Sequence, residues 1–226
     1  MCSNYRPVTR LDRLLTFFGV EYGKDEVERD VYPLGMAPFI RRSVEGQEGG
    51  RAALVAEDGM FGLLPDFARE VQYGRRCYNA RSETVAEKPA FREAFRARRC
   101  AIPASGFYEW TGEAKHRVPH AITVEGRPLV AFAGLWERWK DAAGQRLETY
   151  TVITTDANTM IAPMHDRMPA ILAAEDIDAW LTGTPEEAAA LIRPYPEGEM
   201  REREVSRAIN NPRNETGSPD SLELGV

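Results

Sequence analysis

The sequence predicts an α+β fold in a single domain, and three observations carry that reading. The chain has 226 residues, 43% of them hydrophobic, enough to bury one substantial core. No Gly/Ser-rich or Pro-rich linker divides it. Its strand-like runs are grouped between flanking helical segments instead of alternating with them, which points away from a doubly wound sheet.

Taken in order, residues 9–19 place Leu11, Leu14, Leu15 and Phe18 at helical spacing, with Thr9 as a cap and Gly19 as a stop. Short apolar runs at 36–40 and 52–56, broken by Gly and Pro, predict strands, with 45–50 as a flexible excursion between them. A helical period returns at 88–98. Phe91, Ala94, Phe95 and Arg98 form one side, and Arg92, Arg96 and Arg99, at i, i+4 and i+7, form a basic one. The β-branched or apolar runs at 100–103, 121–124, 129–135 and 149–155 predict core strands. Thr184-Pro185-Glu186-Glu187 is a capping box with Pro at the first helical position, opening a helix that runs to Ile192. A further strand is expected at 205–209. From Asn210 onward Asn, Pro, Gly, Ser and acids dominate, so the domain is drawn at 1–210 and a loose tail at 211–226.

Composition excludes several classes. No apolar run approaches the roughly 18 residues of a membrane span, and the first residues do not form a signal peptide, so a cytoplasmic monomer is expected. Cys2, Cys77 and Cys100 are too few and scattered for a disulfide framework. With His116, His120 and His165 they lack the spacing of a zinc site, so neither metal nor cofactor is expected. A net charge of −6 argues against coating nucleic acid through bulk charge. Yet between Arg69 and Arg99 nine cations face four glutamates, a net of +5 and a reasonable footprint for a phosphate backbone. A solvated helix face is the competing account. Phe61, Phe67 and Tyr73, interleaved with these cations, are either base-stacking platforms or core.

The start of the chain carries its own chemistry. A small residue after Met1 permits removal of that methionine, leaving Cys2 with a free amine beside a thiol. Their reference pKa values are roughly 7.7–8.0 and about 8.5, so both are partly nucleophilic near neutral pH. The amine condenses with an aldehyde to an imine, and the thiol closes on the imine carbon to give a five-membered thiazolidine. The other reading of Cys2 is an idle thiol. Three further clusters offer polar groups. Asn79 and Arg81, two apart, share a face if their segment is extended and suit a sugar or phosphate, or else they form a surface turn. Glu109 lies between Tyr108 and Trp110, where apolar surroundings raise a carboxyl toward acid/base range, or it alternates with them as an exposed acid. His165, in a polar loop, is a proton-transfer candidate or a structural histidine.

In this order the clusters resemble the SRAP family, the SOS-response-associated peptidases or abasic-site processing proteins. The resemblance runs from Met1-Cys2 through Gly62-Leu63-Leu64-Pro65, Asn79-Ala80-Arg81-Ser82-Glu83-Thr84, Gly106-Phe107-Tyr108-Glu109-Trp110 and His165-Asp166-Arg167-Met168-Pro169. It implies a compact domain of curved antiparallel sheets edged by helices, the SRAP fold. It also implies a protein of the DNA-damage response that binds single-stranded DNA at an abasic site and crosslinks its own N-terminus to the sugar aldehyde. By that pattern Cys2 is the covalent residue, Asn79 positions it, Arg81 binds a flanking phosphate, Glu109 shuttles protons and His165 protonates or stabilises the opened sugar. Lyase activity and removal of Met1 by the protein itself belong to the same expectation, as does association with the nucleoid when DNA is bound. Arg81 and the Arg92, Arg96 and Arg99 face would line the groove, with Phe67 as a stacking surface. Two departures stand out. Ser3-Asn4 replaces the usual Gly-Arg, so any DNA contact of that arginine is either lost or moved, with Arg6 the nearest substitute, and phenylalanines stand at 61 and 67 where tryptophans are usual. Two other classes fit parts of the pattern. One is a cysteine peptidase or amidase using Cys2, His165 and Glu109. The other is a non-covalent reader of single-stranded nucleic acid.

Overall fold

A computed structural model describes residues 2–8, 11–23, 30–48, 51–113 and 116–210, without the side chains of 11, 44–48 and 51–52. The proposed Thr9 cap, Met1 and the tail 211–226 lie outside the described residues. In chain order come β1 (Tyr5–Pro7), α1 (Leu11–Phe18), β2 (Met36–Glu48), β3 (Arg51–Phe61), β4 (Asn79–Arg81) and α2 (Arg92–Ala97). They are followed by β5 (Arg99–Thr111), β6 (Val118–Val124), β7 (Val130–Lys140), β8 (Arg146–Asp156), β9 (Arg167–Pro169) and β10 (Ile171–Leu172). The chain then forms α3 (Ile177–Thr182), α4 (Pro185–Ala190) and β11 (Met200–Glu204).

The sheet closes on itself. β5 pairs with β7, β7 with β8, β8 with β3, β3 with β2, and β2 returns to β5 through Ile40↔Ala101. Most pairings are antiparallel, but β3 and β4 both run parallel to β8, so the sheet is mixed. Closure explains the uninterrupted burial of the strands, because each has an inward and an outward face. Phe39, Phe61, Ile102, Phe132, Tyr150 and Val152 form one apolar cluster, inside the barrel, where Phe61 stacks on Tyr150 at 5.4 Å between ring centres. Their chain neighbours Ile40, Ala101, Ala133 and Ile153 belong to a second cluster with Leu14, Phe18, Phe91, Phe95 and Trp180. Helices pack on the outer face, and the small outward residues let them approach closely. Each buried Leu, Ile or Phe contributes about 1.5–3 kcal/mol. The domain is α+β, and among the described residues no helix is long and apolar enough to cross a membrane.

Local signals were obeyed where local energetics dominate. Thr184 and Glu187 make the reciprocal capping box, with the Glu187 amide 3.2 Å from Thr184 Oγ1 and the Thr184 amide 2.7 Å from Glu187 Oε2. Gly19 ends α1 at φ +68°, its amide 2.8 Å from the Leu15 carbonyl. Leu14 and Phe18 are buried but Leu15 is half exposed.

Two expectations are corrected, and one open alternative is decided. The excursion at 45–50 is strand as far as Glu48, because β2 and β3 absorb a register shift between Arg42 and Gln47 and then resume pairing. The strand expected at 205–209 is a 3-10 turn over Arg207–Asn210, and strand pairing instead occupies 200–204, beside β6. Val205 and Ile209 are a helical turn apart and both buried against Tyr108 and Ala121, whereas Arg201 to Glu204 form an edge whose charged side chains face water. Of the two readings of Phe61, base-stacking platform or core, the structure gives core: the ring is wholly inside the barrel.

Candidate functional site

The N-terminal strand is short and must be held from several sides. Tyr5 pairs with Phe107 of β5 and exchanges backbone hydrogen bonds with Val31 on its other edge, at 3.3 and 2.9 Å. Its ring enters the barrel, meeting Phe61 and Phe132 edge-on at 5.5 and 5.8 Å, and its hydroxyl lies 2.6 Å from that of Tyr150. On the opposite face Arg6 Nε donates to Asp30 Oδ1 at 2.7 Å, and the Tyr108 hydroxyl donates to the same oxygen at 3.1 Å. Arg6 is thus committed to holding β1 against β5, which corrects the expectation that it takes over a DNA contact.

This anchoring leaves Cys2 at the end of the barrel interior, fully buried. Asn79 Nδ2 donates to the Cys2 carbonyl at 2.9 Å. Asn79 and Arg81 lie on β4, paired with Val152 and Thr154 of β8, so both point to the same side while Ala80 turns into the outer cluster. Arg81 is exposed and Asn79 half-buried. Burial, and then the negative charge of Glu109, push the Cys2 thiol well above its ordinary pKa. The terminal amine and the Asn4 amide hydrogen bond oppose this. The expectation from reference values that the thiol is partly ionised near neutral pH is therefore corrected: burial keeps the group a thiol.

Glu109 lies on β5 at 3% exposure, its neighbours Tyr108 and Trp110 turned to the other face of the strand. Burial raises its carboxyl pKa, against lowering by the terminal amine and Arg117. His165 sits just before β9, its Nδ1 2.9 Å from the Arg167 amide nitrogen and 2.8 Å from Asp166 Oδ1. One nitrogen cannot serve both. A neutral ring accepts from the Arg167 amide, whereas a charged ring donates to Asp166. Burial first, then the terminal amine, lower the His165 pKa, with Asp166 opposing and Arg81 and Arg117 assisting, which favours the neutral ring. Cys2, Asn79, Glu109 and His165 thus form one constellation: Asn79 touches Cys2, Glu109 acts on the Cys2 thiol, and the charge of Arg117 acts on Glu109 and His165 alike.

The remaining basic and aromatic candidates divide. Arg92 and Arg96 are exposed on α2. Arg99 is not on that face: α2 ends at Ala97, and Arg99 opens β5 at 7% exposure. Its guanidinium donates to the carbonyls of Trp180 at 2.6 Å and Phe95 at 2.7 Å, and also to that of Gly183. It is a structural clamp between the ends of α2 and α3, where carbonyls lack helical partners. The i+7 spacing failed because the helix stopped first. Phe67 is 50% exposed, edge-on to Tyr73 at 5.7 Å, and keeps a free face.

Sequence reasoning passed over two arginines. Arg167, almost fully buried, donates to Asp156 Oδ1 at 2.5 Å, the Thr154 carbonyl at 2.6 Å and Glu83 Oε2 at 2.8 Å, tying the end of β4 to β8 and β9. It thereby fixes the His165 loop beside the Asn79 strand. Its place in the His165-to-Pro169 motif was the available signal. Arg117 acts electrostatically on both Glu109 and His165, and nothing in the sequence pattern marks it.

The family model for SOS response associated peptidase (SRAP) matches residues 1–212. The abasic site processing protein YoqW of Bacillus subtilis is 40% identical over 228 residues, covering 99% of each chain. YobE of the same organism, with the same description, is 39% identical over 94% of this chain and 97% of its own. The abasic site processing protein HMCES of Gallus gallus is 30% identical over 86% of this chain and 66% of its own. Among solved structures, a protein from Bacteroides thetaiotaomicron superposes with a TM-score of 0.82 at 26% identity, over the whole of both chains. One from Bordetella bronchiseptica gives 0.78 at 28% identity, over 91% of this chain and all of its own.

Proposed function

The chain belongs to the SOS response associated peptidase (SRAP) family, and on that premise we propose that it binds single-stranded DNA at an abasic site and links Cys2 covalently to the sugar aldehyde. The observation that carries the reading is the hydrogen bond from Asn79 to the Cys2 carbonyl, which holds the second residue of the chain, main chain included, beside Glu109. An internal cysteine serving only as a thiol nucleophile has no need of a clamp on its own backbone. A terminal aminothiol does, because amine and sulfur must both reach one carbon.

In this mechanism Met1 is removed and the Cys2 amine adds to the aldehyde carbon of the ring-opened sugar. The carbinolamine loses water to give the imine, the departing oxygen taking a proton from a general acid. Glu109, held protonated by burial more readily than an ordinary carboxyl, suits that role. Water loss leaves the imine nitrogen protonated and Glu109 as carboxylate; sulfur then bonds to the imine carbon as its proton passes to Glu109, which restores the acid, and the thiazolidine closes. The balance is aldehyde plus aminothiol giving ring plus water. A raised thiol pKa fits this order, since the amine attacks first and the thiol loses its proton only at closure. Neutral His165 donates to or accepts from the sugar hydroxyl released by ring opening, and Arg81 binds a flanking phosphate. The peptidase alternative needs Glu109 to orient His165, whose Nδ1 instead meets the Arg167 amide and Asp166.

Single-stranded DNA with one abasic site is incubated with the protein and run on a denaturing gel. A retarded band without borohydride, absent for Cys2→Ala, is the expected result. No band with the wild-type protein, or retention of Met1 on the crosslinked species by intact mass, overturns the mechanism.

A further inference from the structure

Glu109 is 3% exposed although it lies near the end of β5, which closes at Thr111. On its own face of the strand it follows Phe107, inside the barrel, and precedes Thr111. β1 lies along one edge of β5, the Tyr108 amide donating to the Asn4 carbonyl at 3.1 Å. β6 lies along the other edge, and its register sets His120 directly opposite Glu109. Directly opposed residues of an antiparallel pair share a face, with Cβ atoms about 5 Å apart. A hydrogen bond shows where the ring goes. His120 Nε2 is 2.8 Å from Thr111 Oγ1, so the imidazole reaches from β6 back onto the Glu109 face of β5. Its Nδ1 meets the Glu202 carboxylate on β11.

Both bonds survive a change of charge on the ring. A neutral imidazole accepts from the Thr111 hydroxyl and donates to Glu202, whereas a charged one donates to both, because a hydroxyl serves either way. His165 differs, since two partners there compete for one nitrogen. The His120 ring therefore stays in place whatever its protonation, with 14% of the side chain exposed.

We propose that His120 is a positioning residue for Glu109: pinned between Thr111 and Glu202, its ring closes the β6 side of the carboxyl against water. The consequence for crosslinking rests on the reading of Glu109 as general acid, but the wall itself needs no DNA. Burial is the first cause of the raised Glu109 carboxyl, and water readmitted on one side solvates the charged form. The other groups acting on Glu109 are the Cys2 thiol, the terminal amine, Arg117, Asp166 of the His165 loop and Tyr78 beside Asn79. Glu202 and Glu204, the latter opposite His120 on β11, face the ring from its far side. Those groups set the charge balance around the carboxyl, and His120 sets its contact with water.

The test follows the Glu109 carboxyl by carbon-13 NMR titration of the free protein, and crosslinking to abasic single-stranded DNA by single-turnover gels from pH 5 to pH 8. His120→Ala opens the β6 side and should move the Glu109 midpoint down. The acid form is then scarcer at high pH, so crosslinking should slow by up to roughly tenfold at pH 8 and by about twofold at pH 5. His120→Phe keeps a ring and removes both the charge and the hydrogen bonds, so its midpoint should stay at or above that of the wild type. Thr111→Val frees one end of the ring and should lower the midpoint by less than His120→Ala. An unmoved midpoint in His120→Ala, or a fall in His120→Phe as large as in His120→Ala, overturns the proposal. Should His120→Ala not fold, an unmoved midpoint in Thr111→Val overturns it. Midpoints that move as expected in a wild-type background that forms no crosslink sink the covalent reading and leave the wall standing, whereas normal crosslinking with unmoved midpoints sinks the wall alone.

Discussion

Arg99→Met separates a structural arginine from a DNA-binding one. The guanidinium is buried and makes short charged hydrogen bonds to the Trp180 and Phe95 carbonyls at 2.6 and 2.7 Å, with a longer one to the Arg96 carbonyl at 3.3 Å. Hydrogen bonds involving a charged partner contribute about 1.5–3 kcal/mol each, and the loss of these, with the one to the Gly183 carbonyl, is largely offset because a cation no longer has to be desolvated. Methionine fills much of the stem volume, so packing against Trp180 is largely kept. The net expectation is a destabilisation of about 2–4 kcal/mol. For a domain of this size about 1 kcal/mol shifts the midpoint by 2–4 °C, so Tm should fall by roughly 5–15 °C. The assay is urea unfolding at 25 °C alongside anisotropy with single-stranded DNA at a temperature where the variant remains folded. Affinity should stay within about twofold of wild type, because the side chain never reaches the surface groove. A wild-type unfolding midpoint combined with weakened DNA binding refutes the reasoning, since it would place the charge on the DNA and not on the helix ends.

Two further outcomes follow from the site. Glu109→Gln should stabilise the protein at neutral pH while slowing crosslink formation: the folded-state carboxyl pKa is raised, so the stability tied to its neutral form is present below the unfolded value near 4.5 and is lost as pH rises through the folded one. Melting scans at pH 4 and pH 7 check this, and an equal difference from wild type at both pH values contradicts it. Asn79→Ala removes the donor to the Cys2 carbonyl, a net contribution of about 1 kcal/mol, so crosslinking at saturating DNA should slow roughly fivefold with Tm moved by only a few degrees. Asn79→Asp, unable to donate, should resemble it, and wild-type rates in single-turnover gels for both would remove Asn79 from the mechanism.

Much of the fold was legible because it rests on short-range periodicity. The core strands of β5, β7 and β8, the buried side of α2 and the Thr184 capping box each depend on residues within a few positions of one another, and their patterns survive folding. Where reasoning slipped, a distant partner decided. The strand at 200–204 exists because β6 offers an unpaired edge, and its own charged sequence gives no sign of it. Phe61 and Phe67 look alike in the sequence, yet barrel closure puts one against Tyr150 and leaves the other in solvent.

The candidate site divides in the same way. By itself the sequence determined which chemical groups are present: an aminothiol in prospect at Cys2, an amide and a guanidinium two apart at 79 and 81, and a carboxyl at 109 between aromatic neighbours. Residue type and local spacing are covalent facts and need no fold. Only the tertiary structure decided that Asn79 clamps Cys2, that burial and Glu109 keep the Cys2 thiol protonated and that Arg99 is lost to the helix ends. Desolvation and charge proximity depend on what the barrel brings across from other strands, and no local pattern encodes that distance.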